Sequence, residues 1–97
     1  MSQTPPFASA RLRIEGLVQG VGFRVFVERE AAAMGLSGWV RNRRDGGVEA
    51  VISGPRDRID TMIGRCRKGP RGSRVDMLKV LDESGSVNDG FMVRPTV

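Results

Sequence analysis

The clearest pattern near the start of the chain is an alternation of apolar and charged residues over positions 10–16. Leu12 and Ile14 alternate there with three charged side chains. Successive side chains of a strand point to opposite faces, so this pattern predicts a half-buried β-strand. We expect the strand to end at Gly16 and residues 17–22 to form a glycine-containing turn.

Apolar residues three and four positions apart predict two helices. The first is expected to end at a glycine C-cap, Gly35, and its apolar face comprises Phe23, Phe26, Val27, Ala31 and Met34. The second follows Gly54, with Pro55 in its first turn, and ends at Lys68-Gly69-Pro70. Its apolar face comprises Ile59, Met62, Ile63 and Cys66.

Further strands lie between and after these helices. Residues 37–43 and 48–52 form two strands joined by Asp45-Gly46, a strong hairpin signal. Over residues 74–81 the apolar positions slip out of strict alternation, which favours a β-bulge. Phe91 and Val93 indicate a short final strand after a loop over residues 84–90.

The resulting order, β-α-β-β-α-β, predicts an α+β fold of the ferredoxin-like, split βαβ type. We expect an antiparallel sheet with both helices on one face. A chain of 97 residues has room for one domain, which we assign to residues 9–97 after a flexible tail over residues 1–8. Many unrelated activities share this fold, so the site residues must decide the function.

The composition narrows the class of protein. The sequence has no histidine and one cysteine, Cys66, which removes internal disulfides and most metal sites and favours a reducing, cytoplasmic location. No apolar run approaches the roughly 18 residues of a membrane span, and residues 1–8 lack the pattern of a secretion signal. The net charge of +5 favours an anionic partner, but the basic residues are spread along the chain, so nucleic acid is not expected.

The segment that carries chemistry is residues 16–24, between the first strand and the first helix. A glycine-containing loop can turn several backbone N–H groups toward one point, and a helix N-terminus adds unpaired N–H groups. Arg24 can present a planar fork of donors to the same anion. The segment favours a phosphate cradle, with a tight turn beside an exposed arginine as the alternative. It is neither a Walker loop nor a Rossmann fingerprint, whose third glycine position is occupied by Val25.

Two segments resemble the signatures of a known family. Residues 16–24, Gly-Leu-Val-Gln-Gly-Val-Gly-Phe-Arg, closely resemble the first signature of the acylphosphatase family. Residues 38–50, Gly-Trp-Val-Arg-Asn-Arg-Arg-Asp-Gly-Gly-Val-Glu-Ala, continue to Gly54 and resemble the second. The resemblance extends over residues 9–94, and the fold of this family is the one expected above.

The resemblance implies an enzyme that hydrolyses a small-molecule acyl phosphate without a metal or other cofactor. It implies that Arg24 binds the substrate phosphate and that Asn42 holds the attacking water, so these two are the candidate catalytic residues. Loop amides are expected to share the phosphate, at Gln19, Gly20, Val21, Gly22 and Phe23. We expect the enzyme to act as a monomer.

The expected chemistry does not need a histidine. An acyl phosphate expels a carboxylate whose conjugate acid has a pKa of about 4, so the leaving group departs without a general acid. Two other hypotheses stay open. One is a non-catalytic acylphosphatase-like module that binds carbamoyl phosphate or another anion. The other is an RNA-binding ferredoxin-like domain, which needs exposed aromatic residues on its central strands.

Three residues have a second, purely structural interpretation. Taken alone, Asn42 could cap the hairpin that follows it. Trp39 is expected to pack rather than to stack on substrate. Cys66 is expected in the core, because a Cys-x5-Arg phosphatase cradle would need arginine where the sequence has Gly72.

Overall fold

The computed structural model describes residues 7–83 and 89–97. These residues form one five-stranded sheet and two helices. The elements are β1 (Phe7–Leu17), α1 (Phe23–Ala33), β2 (Ser37–Asn42), β3 (Val48–Pro55), α2 (Arg56–Lys68), β4 (Arg74–Asp82) and β5 (Phe91–Val93). The split βαβ, ferredoxin-like order expected from the sequence is confirmed. Within the described segments, no helix is both long and apolar enough to cross a membrane.

The sheet has the strand order β4-β1-β3-β2-β5. Neighbouring strands from β4 to β2 in this order pair antiparallel, as expected. β5 pairs parallel to β2, so the sheet is mixed rather than wholly antiparallel. The register of the strands explains why β5 is parallel to β2. Paired residues form a row across the five strands, in the order Asp82, Ala10, Ile52, Gly38 and Phe91. The end of β4 and the start of β5 therefore lie at the same end of the sheet. Since β4 runs antiparallel to β2, a strand that starts where β4 ends runs in the direction of β2.

The irregular pattern over residues 74–81 is a β-bulge, as expected. Glu15 pairs with Met77, whereas Gly16 pairs with Val75, which leaves Asp76 as the extra residue of β4. An extra residue reverses the in–out alternation beyond it. Val75 and Leu78, three positions apart, therefore both pack against the helix-covered core.

Both helices cover one face of the sheet, and the core lies between them and that face. Each helix contributes the stripe that the sequence predicted, with Phe23, Val27 and Ala31 buried on α1 and Ile59, Met62 and Cys66 buried on α2. The sheet contributes alternate residues, chiefly Leu12, Ile14, Val40, Val48, Ala50 and Ile52. Removing these side chains from water is the main favourable contribution to folding.

Several element boundaries differ from those expected from the sequence, and two of these differences bear on the fold. β1 begins at Phe7, and Phe7 and Ala8 pair with Pro55 and Gly54. These two residues therefore belong to the sheet rather than to the predicted tail, while residues 1–6 lie outside the described part. Pro55 ends β3 and immediately precedes α2, instead of standing inside its first turn. Its ψ of 136° is extended, and a proline there needs no backbone donor.

Gly38 allows β2 to lie close to β3. Its φ is +139°, and a Cβ at this position would lie 1.8 Å from the Val51 carbonyl oxygen. We expect Gly38→Ala to lower the free energy of unfolding by about 2 kcal/mol or more, through backbone strain and overlap. The matched control is Gly64→Ala on α2, where an added Cβ meets nothing within 4 Å.

The control should raise the free energy of unfolding by about 0.5–1 kcal/mol, since glycine is a poor helix former. Urea denaturation measures the free energy of unfolding of both variants relative to wild type. Equal stability of the two variants would contradict this account of the β2–β3 contact.

Candidate active site

The loop between β1 and α1 leaves a set of backbone donors free. Gly22 precedes the helix in the left-handed conformation, with φ 79° and ψ 22°, which glycine adopts at little cost. The first bond of the helix runs from the Phe26 amide to the Gly22 carbonyl oxygen, at 3.0 Å. Among the described residues, no group accepts a hydrogen bond from the backbone amides of 20–25. These amides and the positive end of the helix dipole make the loop suited to an anion.

Arg24 and Asn42 line one small cavity at this loop, about 120 Å³ in volume. Arg24 lies in the first turn of α1, and Asn42 is the last residue of β2. Both side chains are half-buried. The remaining lining residues are Val18, Gln19, Gly20, Gly22, Phe23 and Val25.

The sheet topology explains why these two residues meet. β1 and β2 each pair antiparallel with β3, so they run in the same direction and end at the same edge of the sheet. Asn42 pairs with Val48, which in turn pairs with Ile14 near the end of β1. The loop that follows β1 therefore lies beside the end of β2.

Neither Arg24 nor Asn42 uses its side chain to hold the fold together. In the part of the chain that the structure describes, the two side chains form no hydrogen bond or ion pair with another protein group. Neighbouring arginines such as Arg41 and Arg43 are paired with carboxylates instead. A half-buried guanidinium and a carboxamide are thus available to a ligand in the cavity.

The loop residues expected at the site divide into two groups. Gln19, Gly20, Gly22 and Phe23 line the cavity, although the Phe23 ring itself is buried in the core. Val21 packs against the core and does not line the cavity, so its backbone amide is the part available for binding.

Gln19 has a side-chain role that sequence reasoning did not identify. Its Nε2 donates to the Arg43 carbonyl oxygen at 2.7 Å and to the Gly47 carbonyl oxygen at 2.8 Å. These two contacts attach the loop to the hairpin that follows Asn42. The carboxamide is therefore used as a link between two segments, and the backbone of the loop remains free to bind an anion.

Val18 and Val25 line the cavity although sequence reasoning did not assign them to the site, and Val18 is buried. Val25 is the more exposed of the two. Its side chain is 53% exposed and contributes an apolar wall to the cavity. A signal was present, because Val25 is an apolar residue outside the core-facing stripe of α1. Such an exposed valine next to Arg24 belongs to the site rather than to the core.

The residues on either side of Asn42 are fixed by one buried carboxylate, Glu49, on the helix-free face of the sheet. Arg41 Nε and Arg43 Nη1 donate to Glu49 Oε1 at 2.9 and 3.0 Å, and Arg11 donates to the other oxygen. Burial alone would raise the pKa of Glu49, but the three arginines outweigh it and lower the pKa below its ordinary value of 4.5. Glu49 is therefore ionised at neutral pH, with both oxygens satisfied.

Trp39 lies beside this carboxylate, on the same face. Its ring is 7% exposed, and the guanidinium carbons of Arg11, Arg41 and Arg94 lie 5.6, 4.6 and 4.8 Å from its centroid. Trp39 packs, as expected. It packs against guanidinium groups on the helix-free face of the sheet, not in the core between the helices and the sheet.

The end of β2 is also held by the last residues of the chain. The Val97 amide donates to the Asn42 carbonyl oxygen at 3.2 Å, and the Arg44 amide donates to the Val97 oxygen at 2.9 Å. The backbone of Asn42 is thus paired on both sides, with β3 on one side and residue 97 on the other. Its side chain therefore projects from a segment whose backbone is hydrogen-bonded on both sides.

Cys66 lies in the core on α2 and is not among the residues that line the cavity. Its side chain is fully buried, and burial, together with the nearby Glu30, raises the pKa of the thiol to about 12. A thiol in this state is a poor nucleophile at neutral pH. The structural interpretation of Cys66 fits this environment.

Comparison with known proteins identifies relatives over nearly the full chain. An acylphosphatase of Rhizorhabdus wittichii is 52% identical over 93 residues, which is 96% of this chain and 94% of that protein. The structure of an acylphosphatase from Coxiella burnetii has a TM-score of 0.87 and 32% identity, covering 91% of this chain and 93% of the other. A full-length HypF in its phosphate- and nucleotide-bound form has a TM-score of 0.86 and 28% identity, covering 99% of this chain and 13% of that one.

The family model for acylphosphatases matches residues 10–93. This match contains both segments on which the resemblance rests, residues 16–24 and 38–50. The chain belongs to the acylphosphatase family.

The Glu49 contacts predict a pH-dependent contribution to stability. Because the folded-state pKa is depressed, the contribution is complete above pH 4.5 and is lost as pH falls through the folded-state pKa. Glu49→Gln should lower the free energy of unfolding at pH 7 by about 3 kcal/mol, since it removes the buried carboxylate charge that three half-buried guanidinium groups share. The difference in the free energy of unfolding between wild type and Glu49→Gln should become smaller at acidic pH.

Urea denaturation from about pH 7 to pH 3 measures this gap. The control is Glu83→Gln, which also contacts Arg11 but is more exposed. Glu83→Gln should lower the free energy of unfolding by less than about 1 kcal/mol. A gap that stays constant over the whole pH range would contradict the assignment of Glu49.

Proposed function

We propose that this protein hydrolyses acyl phosphates, which are mixed anhydrides of a carboxylic acid and phosphoric acid, to a carboxylate and inorganic phosphate. The observation that carries the proposal is the single cavity that combines Arg24, Asn42 and unpaired loop amides. An anion site alone would need only the arginine and the amides. The adjacent carboxamide adds a group that can hold water next to the bound anion.

Arg24 and the loop amides bind the phosphoryl group in this proposal. A guanidinium fork and several N–H groups surround the three phosphoryl oxygen atoms, where negative charge is distributed in the transition state. Because loop and helix hold these donors in place before substrate arrives, little reorganisation is needed during reaction. Val25 faces the same space and offers an apolar contact to a bound substrate.

Asn42 positions the nucleophile. Its carboxamide oxygen accepts a hydrogen bond from a water molecule, and its NH₂ group donates to an oxygen atom nearby. The water is thereby held in line with the bond from phosphorus to the acyl oxygen. The water oxygen forms a bond to phosphorus, the bond to the acyl oxygen breaks, and the carboxylate leaves with the electron pair. The water proton passes to a phosphoryl oxygen.

This reaction makes modest demands on the protein. The leaving carboxylate has a conjugate acid of pKa about 4, so no side chain has to protonate it. Among the described residues, no cluster of three or more histidine, cysteine, aspartate or glutamate side chains is placed to hold a metal ion. Because the carboxylate leaves without a general acid, we propose a reaction that uses no metal or other cofactor. We further propose that the enzyme acts as a monomer in the cytosol.

The helix-free face of the sheet gives little support to RNA binding as a second function. Phe7 is 76% exposed, but it is the first residue of β1 and lies at the end of the sheet. Stacking on bases needs accessible rings near the middle of the sheet. Trp39, the ring on β2, is 7% exposed beneath three guanidinium groups.

The direct test of the proposed function is hydrolysis of benzoyl phosphate, followed by its ultraviolet absorbance, in the presence of EDTA. We expect turnover to be unchanged by the chelator and inorganic phosphate to inhibit competitively. Phosphate binding without turnover would instead indicate a non-catalytic anion-binding module. Activity that is lost in EDTA and restored by a divalent ion would contradict the metal-free reaction.

Separate roles for Arg24 and Asn42 predict different kinetic effects. Arg24→Ala should weaken both phosphate binding and turnover, because its charge contacts the phosphate before and during reaction. Asn42→Ala should lower kcat by about 10²–10³, the usual cost of one preorganised polar group, and leave phosphate affinity near wild type. The control is Arg29→Ala, an exposed arginine on the same helix.

Steady-state kinetics and phosphate calorimetry on the three variants make this comparison. The control should retain wild-type kcat and phosphate affinity. The assigned roles would be wrong if Asn42→Ala hydrolysed substrate normally or Arg24→Ala bound phosphate normally.

A further inference from the structure

We propose that the Gln19 side chain is a positioning residue that sets the distance between the phosphate-binding loop and Asn42. This inference rests on the proposed function, because it assigns Gln19 an effect on turnover through Asn42. It concerns the carboxamide of Gln19, whereas the phosphate interacts with the backbone of the loop.

Gln19 uses both hydrogens of its NH₂ group on the hairpin. Nε2 donates to the Arg43 and Gly47 carbonyl oxygens, at 2.7 and 2.8 Å. These two residues face each other across the turn, where the Arg43 amide also donates to the Gly47 carbonyl oxygen at 2.8 Å. Gln19 therefore binds the closed end of the hairpin.

The position of these contacts relates them to the reaction. Arg43 is bonded directly to Asn42, and Gln19 lies in the loop that precedes Arg24. Among the described residues, the two Gln19 contacts are the hydrogen bonds that join loop residues 18–24 to hairpin residues 42–47. The rest of the site is divided between two segments of the chain: the loop with α1, and the β2–β3 hairpin.

Loss of the two Gln19 hydrogen bonds should affect phosphate binding by the loop and water positioning by Asn42 differently. The loop amides and Arg24 stay together, because they belong to one continuous segment, so phosphate affinity should persist. The distance between the bound phosphate and the water on Asn42 is then no longer fixed by Gln19. Because small displacements of reacting groups reduce turnover strongly, kcat should fall. The expected signature is therefore a lower kcat with an unchanged inhibition constant for phosphate.

The test begins with Gln19→Met, which preserves side-chain length and removes both donors. We expect kcat for benzoyl phosphate to fall about tenfold, a fraction of the loss expected when Asn42 is removed altogether. The inhibition constant for inorganic phosphate should stay within about twofold. Gln19→Asn, one methylene too short to reach both oxygens, should behave in the same way and is the second variant if Gln19→Met does not fold.

The matched control is Arg13→Met. Arg13 Nη2 donates to Asp45 in the same hairpin at 3.3 Å, but Arg13 comes from β1 and does not line the cavity. Its loss should leave kcat unchanged. All assays are made at a temperature where circular dichroism shows each variant to be folded, so that loss of stability alone does not change kcat.

A double-mutant cycle separates positioning from a purely structural role. If Gln19 acts through Asn42, then Gln19→Met should change kcat by less than about twofold in the Asn42→Ala background. An equal tenfold loss in both backgrounds, or no loss in either, would overturn the inference about Gln19. Full activity of Asn42→Ala would overturn the role assigned to Asn42 and, with it, the inference about Gln19. Absence of benzoyl phosphate hydrolysis by the wild-type protein would instead overturn the proposed function, so the two failures are distinguishable.

Discussion

The geometry of the site depends on β1 and β2 running in the same direction with β3 between them. The carboxyl ends of the two strands then share one edge of the sheet, and β3 sets the distance between them through its hydrogen bonds to both. The loop and Arg24 follow β1, while Asn42 ends β2. Two residues that are 18 positions apart in the sequence thereby line one cavity.

This edge of the sheet is held in place by backbone contacts on both sides of Asn42. Its backbone pairs with β3 and with residue 97, and the carboxylate of Glu49 fixes the two arginines that flank it. Gln19 joins the hairpin to the loop. A chain of this size has a small core, so these polar contacts add order where the site requires it.

The distribution of charge also has a functional consequence. Although the net charge is +5, several arginines are neutralised locally, by Glu49 and Glu83 on the open face and by Glu30 between the helices. Arg24 has no such described partner and is half-buried next to free amides. A basic composition thus indicates an anionic ligand in general terms. The place of Arg24 in the cavity distinguishes it from arginines such as Arg29, which also form no described ion pair but are exposed on the surface.

The sequence alone determined the features that depend on local periodicity and on recognisable motifs. Both helices, all five strands of the sheet, the bulge and the two signature segments follow from patterns within a few residues of one another, because side-chain direction repeats every two or 3.6 residues. The direction of β5 and the inclusion of Phe7 in the sheet depended on pairing with distant strands. The sequence also predicted that Trp39 packs, but its face was decided by the register of β2, which places Val40 in the core and Trp39 among arginines. The link made by Gln19 was likewise decided by tertiary structure, whereas Val25 had a sequence signal, as an apolar residue of α1 outside its core-facing stripe. A side chain in a loop carries no periodic signal, so its partners depend on which segments the fold brings beside it.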